Sequence, residues 1–283
     1  MLDVSIIVVT YEENLDVLKG CFDSVAASNG VDLELIVVDN AGSDATKGLL
    51  MSYPGVKYIR NPDNRGFAAA VNQGISASCG KHVLLLNPDT CFGAGTLNKM
   101  IVHLDEDSEV GVAGCVIQYP DGSPQESFRR FPTLKAWLLT LFKVPHIVKR
   151  SKIVDHYMMR DANPYQTQDV DSIMGAFMFI RRELIDQIGM LDERYFIWFE
   201  EVDYCKMAHD AGWKIRYYAD VRIEHMQGHS FGKIATLRKQ KWIRTSLRKY
   251  MYKHHGPVPW LILWVLTPIL FMLALAVSLI KPR

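Results

Sequence analysis

The chain has 283 residues, 49% of them hydrophobic and 22% charged, which suits one medium catalytic-size domain with an appendage and excludes a disordered or collagen-like chain. Its formal net charge of +1 conceals an asymmetry, because no Asp or Glu follows Glu224 and residues 226–283 carry ten of the 32 Lys and Arg. Residues 1–225 hold 22 basic against 31 acidic side chains, −9 in all, and the tail holds +10.

The N-terminal stretch MLDVSIIVVTYEEN has no basic leader and an apolar run of only six residues, so no signal peptide is expected. Short apolar runs then alternate with helical patterns. Strands are predicted at Val4–Val9, Leu33–Val38, Val56–Ile59, Val83–Leu86 and Val110–Ile117, with helices near Leu15–Ala27, Thr46–Met51, Phe67–Ala77 and Thr96–Leu104. This repetition predicts an α/β fold with a mostly parallel sheet covered on both faces. Ligands of such sheets bind beyond the carboxyl ends of the strands.

Residues 120–170 are broken by Pro120, Pro124, Pro132, Pro145 and Pro164, and read as a mobile excursion with a short apolar helix at Trp137–Phe142. Regular structure is expected again as a strand at Ile173–Ile180, helices at Glu183–Ile188 and Val202–Ala211, and a strand at Lys214–Tyr218.

Eight Lys and Arg lie between Lys233 and Lys253, where Ile243, Leu247, Tyr250 and Met251 share one helical face. A basic amphipathic helix on an anionic membrane surface is expected, the alternative being a helix packed on the domain. Trp260–Ile280 is 21 residues without a charge, about 31 Å as a helix against a hydrocarbon core of roughly 30 Å. A transmembrane helix is expected there, with a buried helix or a hairpin re-entrant at Pro268 as alternatives. The organisation expected is a catalytic domain over 1–232, a basic juxtamembrane segment over 233–256 and an anchor over 257–283. Positive charge before the span places the domain on the cytosolic side of the membrane. Five cysteines without a C-x-x-C pair argue for reduced thiols and against structural zinc.

Four strand ends carry candidate chemistry. Thr10-Tyr11-Glu12-Glu13-Asn14 lacks the glycines of a dinucleotide-binding turn, and no P-loop is present, which argues against dehydrogenases and P-loop kinases. Asp39 begins the tight turn Asp39-Asn40-Ala41-Gly42, where it can accept a base N–H or cap a helix. Asn87-Pro88-Asp89-Thr90 puts a carboxylate at a strand end, either to hold a divalent cation with phosphate oxygens or as a plain turn. Glu200-Glu201-Val202-Asp203 follows an aromatic run; it is either a helix N-terminus favoured by the macrodipole or the source of a general base with a raised pKa. His225 is a candidate metal ligand or a structural hydrogen-bonder.

Taken in order, VSIIVVTYEEN, IVVDNAGSD, NRGFAAAVNQG, LLLNPDT and YFIWFEEVDYC resemble the signatures of glycosyltransferase family 2, in its bacterial rhamnosyltransferase-like branch. QESFRRFPTL and the stretch His225, Gly228, Ser230 are similar to that branch too. The resemblance implies a GT-A fold, an inverting transfer, a nucleotide-sugar donor and Mg²⁺ or Mn²⁺. It implies that Thr10, Tyr11 and Glu12 border the nucleoside, that Asp39 meets the base and that Asn64, Arg65, Gly66, Asn72 and Asn87 line the donor cleft. Asp89, with His225, falls on the metal and diphosphate, and Glu201 falls on the general base. The usual D-x-D reads Asn87-Pro88-Asp89 and the usual E-D-x-D reads Glu200-Glu201-Val202-Asp203, which leaves Asp203 a rival base.

The expected function is a membrane-anchored glycosyltransferase moving a sugar, L-rhamnose from dTDP-L-rhamnose, to a polyprenyl-diphosphate-linked saccharide in cell-surface polysaccharide biosynthesis. UDP-galactose, UDP-galactofuranose or another UDP- or GDP-sugar are alternative donors, and a nucleotidyltransferase or a membrane scaffold are alternative classes. No nucleic acid partner is expected.

Overall fold

The computed structural model describes residues 2–42, 44–142, 151–226 and 236–280, and the side chains within them except at 236 and 273–280. Its first half runs β1 (Val4–Thr10), α1 (Leu15–Ala26), β2 (Leu33–Asn40), α2 (Asp44–Leu50), β3 (Lys57–Asn61), α3 (Phe67–Ser76), β4 (His82–Leu86), β5 (Thr90–Cys91), α4 (Thr96–Glu106) and β6 (Val110–Gln118). The second half adds β7 (Phe128–Arg129), α5 (Leu134–Leu141), α6 (Lys152–Tyr157), β8 (Gln168–Asp169), β9 (Ser172–Ile173), β10 (Phe177–Arg181), α7 (Arg182–Ile188), α8 (Glu200–Asp210) and β11 (Lys214–His225). Two long helices follow, α9 (Thr236–His255) and α10 (Pro257–Ile280).

The main sheet has the order β3-β2-β1-β4-β10-β6-β11-β5, with β8 also paired to β11. Strands β1 to β4 are parallel neighbours, and β10 enters antiparallel between β4 and β6. The strands read as unbroken apolar runs because both faces are buried. Ile6, Val8, Leu84 and Leu86 pack with Leu18, Phe22 and Leu97 on one face, while Ile7, Val83 and Leu85 pack with Val71 and Ile75 on the other. The parallel register sets Thr10 opposite Asp39, and Asp39 opposite Arg60 with Asn40 opposite Asn61 after it, so three strands end side by side.

Several expectations are corrected. The single strand expected at Ile173–Ile180 is two: β9 pairs with β7 away from the main sheet, and β10 starts afresh at Phe177. Between them the Met174 amide donates to the Ser127 carbonyl and the Ala176 carbonyl accepts from Asn87, so the Gly175 region serves two sheets. Residues 120–170, read as an excursion, contribute Phe128, Ala136, Trp137, Leu141, Val154 and Tyr157 to the buried core. Strand β11 runs on past Tyr218 to His225, with an irregularity between Tyr218 and Arg222.

The C-terminal expectations change most. The α9 face carrying Leu247, Tyr250 and Met251 does not await a membrane; it is buried with Trp137, Tyr157, Tyr195 and Phe199, with Ile243 packed alongside. Burying these side chains against aromatic rings of the same domain satisfies the amphipathic pattern internally. After Gly256, at φ +83°, α10 turns back along α9. Arg244 Nη2 donates to the Leu270 carbonyl (2.9 Å), Arg248 Nη1 donates to Thr267 Oγ1 (3.1 Å), and Tyr252 meets Trp260 edge to face. The helix continues through Pro268, so the alternative of a hairpin turned at that residue is not met. The expected transmembrane helix is not met either: among the described residues no helix is long and apolar enough to cross a membrane.

Candidate active site

At the carboxyl ends of β1 and β2, Thr10 Oγ1 donates to Asp39 Oδ1 (3.5 Å) and the Tyr58 hydroxyl donates to Asp39 Oδ2 (2.6 Å). Burial and this hydrogen bond push the Tyr58 phenol up to about 12, so it remains a donor. Asp39 is fully enclosed, and a Cβ on Gly42 would stand 1.9 Å from its Oδ1. The loop crosses the carboxylate closely because residue 42 has no side chain. Tyr11 and Glu12 follow β1 at the rim, with Glu12 at φ +51°.

Asn40 organises the next loop. Its Nδ2 donates to Asn64 Oδ1 (2.9 Å) and the Gly66 carbonyl (3.1 Å), and its Oδ1 accepts from the Arg65 amide (3.0 Å) and from Asn61 Nδ2 (3.1 Å). Asn64 shapes this turn, its Oδ1 also accepting from the Gly66 amide (2.9 Å), while the Arg65 side chain is exposed. Gly66 has φ +88°, and a Cβ there would lie 2.7 Å from the Phe196 carbonyl. That carbonyl accepts from the Phe67 amide at 2.7 Å, which ties the Asn64–Gly66 turn to the aromatic segment before α8. Asn72 stands apart from this group. Its Nδ2 donates to the Leu191 carbonyl and Glu193 Oε1, and its Oδ1 accepts from the Leu191 amide. Both ends of its amide thus join α3 to residues 191–193.

At the end of β4, Asp89, Asn87 and His225 come together from residues far apart in sequence. His225 Nε2 is 3.1 Å from Asp89 Oδ1 and 3.3 Å from Asn87 Nδ2, and its Nδ1 is 3.0 Å from Gln125 Oε1. Gln125 Nε2 donates to the His225 carbonyl (2.8 Å), which fixes the amide so that its Oδ-like oxygen, Oε1, faces the ring. An Nδ1 proton donated to Gln125 leaves an Nε2 lone pair beside a carboxylate oxygen. Two acceptors at 3.1 Å need a proton or a cation between them. This donor set, one imidazole and one buried carboxylate, fits Mg²⁺ or Mn²⁺ completed by diphosphate oxygens, with Gln125 as the outer partner that orients the imidazole. Among the described residues no cluster of three or more His, Cys, Asp or Glu offers a protein-only metal site. Gly228 and Ser230 lie outside the described residues.

Helix α8 starts abruptly. Trp198 and Phe199 take φ values of +63° and +77°, a strained entry of the kind that clusters at functional sites. Glu200 and Glu201 each keep one buried carboxylate oxygen without a hydrogen-bond partner. Burial, and then the charge of Glu201, raise the Glu200 carboxyl well above its ordinary value. Burial also raises Glu201, opposed by amides at the helix start and by the Arg129 guanidinium. Of the pair, Glu201 is the one whose rise a nearby positive charge opposes. A Cβ on Gly175 would lie 3.6 Å from Glu201 Cβ, and the adjoining Ala176 carbonyl accepts the Asn87 amide (2.9 Å). The acidic helix start and the Asp89 strand end therefore meet at one short segment.

Asp203, the rival base, faces α9. It is fully buried; Lys253 Nζ donates to its Oδ2 (2.7 Å), while its Oδ1 lies 2.6 Å from His254 Nε2 and accepts from the Tyr195 hydroxyl (3.2 Å). Both oxygens are engaged, Oδ1 by His254 and Tyr195 and Oδ2 by Lys253, which leaves Oδ2 a single further acceptor position. Residue reading in one dimension missed Lys253, His254, Gln125 and Arg129. The last two lie inside QESFRRFPTL, a motif noted without a role for either residue. Nothing local marks Lys253 and His254.

The Glycosyl transferase family 2 model matches residues 5–189. The chain is 26% identical over 246 residues to N-acetylglucosaminyl-diphospho-decaprenol L-rhamnosyltransferase of Mycobacterium tuberculosis, covering 82% of this chain and 79% of that protein. It is 23% identical over 233 residues to rhamnosyltransferase WbbL of Escherichia coli, covering 80% and 84%. Mannosyltransferase PcManGT from Pyrobaculum calidifontis, solved with GDP-Man and Mn²⁺, superposes with a TM-score of 0.60 at 17% identity, over 98% of this chain and 75% of that one. That likeness shows the GT-A fold. With the family model spanning most of the sheet and both strand ends that carry Asp39 and Asp89, this chain belongs to glycosyltransferase family 2.

Proposed function

We propose that the protein is an inverting glycosyltransferase that moves L-rhamnose from dTDP-L-rhamnose to a hydroxyl of a polyprenyl-diphosphate-linked saccharide at the cytosolic face of a membrane. The observation that carries the transfer chemistry is the partner-free Glu201 oxygen at the start of α8, beside the segment that holds the Asp89 strand end. The donor and acceptor rest on similarity to two rhamnosyltransferases, one of them acting on a decaprenol-diphosphate saccharide by its name. UDP-galactose, UDP-galactofuranose or another UDP- or GDP-sugar are the alternative donors.

In this reading Thr10, Tyr11 and Asp39 receive the nucleoside, and the loop held by Asn40 and Asn64 borders the sugar. Asp89 and His225 would hold Mg²⁺ or Mn²⁺, which supplies charge neutralisation on the departing nucleotide. Glu201 takes the proton of the acceptor hydroxyl as that oxygen attacks the anomeric carbon from the face opposite the nucleotide, which inverts it. Raised by burial, with the Arg129 guanidinium opposing that rise, Glu201 is placed to act as the general base. A cavity of about 590 Å³ is lined by Phe131, Thr133, Lys152, His156, Tyr157 and Asp171. Its mix of aromatic and polar groups suits a saccharide acceptor.

The test is product formation from a panel of nucleotide sugars, with and without a lipid-linked saccharide and with EDTA or added Mn²⁺. Turnover with dTDP-L-rhamnose alone among the donors, dependent on cation and acceptor, is the expected result. Selective turnover of another donor would move the assignment to that sugar.

A further inference from the structure

Helix α10 carries more apolar surface than the domain covers. Leu263 and Leu270 are buried on α9, yet Leu261, Trp264, Val265, Ile269 and Met272 are between 51% and 65% exposed. Their positions run around the side of the helix away from α9. Contiguous exposed apolar surface of this kind marks an interaction site in a stable protein.

The surrounding charge selects the partner. The sequence has no acidic residue after Glu224, and Arg238 and Lys241 on α9 are exposed. A second copy docking on this face would bring two basic hairpins together. Anionic headgroups complement it instead. Tyr252 and Trp260 meet where the two helices join, and such rings favour the lipid–water boundary.

We propose that the outer face of α10 docks in the plane of an anionic lipid bilayer. This deepens the reading of a lipid-linked acceptor, which has to be met at a membrane surface. Orientation follows from α9, whose Arg244 and Arg248 hydrogen-bond along the inner side of α10 at Leu270 and Thr267. A charged helix bound along α10 keeps that side out of hydrocarbon, so the outer half alone enters, to roughly 5–10 Å. The opposite side of α9 reaches the site: Ser246 Oγ donates to the Ile197 carbonyl (2.9 Å), and the Trp242 and Phe196 rings are 5.1 Å apart. One helix layer therefore separates the bilayer from the aromatic segment packed on Gly66.

Flotation of the full chain with vesicles of phosphatidylglycerol and phosphatidylcholine, or phosphatidylcholine alone, tests this. Binding to the anionic vesicles and its weakening by salt are expected. Substituting Leu261→Gln, Val265→Gln and Ile269→Gln together should lower vesicle affinity by about tenfold or more, with donor hydrolysis in solution and circular dichroism unchanged. Trp264 fluorescence, isolated by comparison with Trp264→Phe, should be quenched by lipids brominated near the headgroup and little by those brominated near the bilayer centre. Equal flotation of the triple variant, equal deep quenching, or a dimer in solution that the triple variant splits would each overturn in-plane docking. Wild-type flotation without hydrolysis of any nucleotide sugar would leave docking standing and refute the enzymatic reading instead.

Discussion

Two carboxylates two residues apart, Glu201 and Asp203, have opposite fates because one is left with a free oxygen and the other is surrounded by donors. Glu201→Gln preserves size and cannot accept a proton, so kcat should fall by about 10²–10⁴-fold with donor affinity nearly unchanged. Single-turnover rates beside donor titrations check this. Because burial raises the Glu201 carboxyl, the acidic limb of kcat in the wild type should lie above the ordinary glutamate range, since the base works only when ionised. A limb at or below that range would remove Glu201 from the role. At the other strand end, Asp89→Asn and His225→Ala should each weaken Mn²⁺ binding in the presence of dTDP by about tenfold or more, read directly by electron paramagnetic resonance. Gln125→Leu should give a smaller loss, because it frees the imidazole to turn while leaving both ligands.

At the scale of elements, α9 grips the start of α8. Lys253 Nζ joins Asp203 and Asp192 (3.1 Å), and His254 closes on the same Asp203. The Arg194 side chain and Lys253 hold the Asp192 carboxyl well below its usual range. Lys253→Met leaves Asp203 buried and short of its countercharge, which should cost about 3 kcal/mol or more in stability and lower kcat through a displaced α8 start. Adding Asp203→Leu should recover much of the melting temperature, because an apolar pair replaces a broken ionic one. An Asp203→Asn protein that folds with normal stability yet has lost all turnover would return Asp203 to the role of base.

For the whole molecule, acid sensitivity has an identifiable source in the sheet. Burial alone would raise the Glu34 carboxyl, but the Lys57 ammonium at 2.6 Å, the Ser5 hydroxyl and the Cys79 amide bring it down to about 2. A carboxyl depressed on folding stabilises the protein above its ordinary pKa of 4.5 and loses that contribution as pH falls toward 2. Glu34→Gln should therefore narrow the difference in melting temperature between pH 7 and pH 3, measured by calorimetry. An undiminished difference would place the acid sensitivity elsewhere.

Sequence by itself determined the alternation of strands and helices, the two-sided burial of the sheet and the ordered motifs at its strand ends, because these depend on periodicity and on residues adjacent in the chain. It also brought Asp39, Asp89 and Glu201 forward as candidates. What depends on partners far away is visible only in the fold: Asp203 is held by Lys253 and His254, Asn72 by Leu191, and His225 is oriented by Gln125 one hundred residues earlier. The C-terminal helices show the same limit. An amphipathic face can be satisfied by a bilayer or by another part of the protein, and hydropathy registers only that it must be covered. The aromatic side chains of α5, α6 and the segment before α8 cover α9, leaving the outer face of α10 as the apolar surface that still lacks a partner.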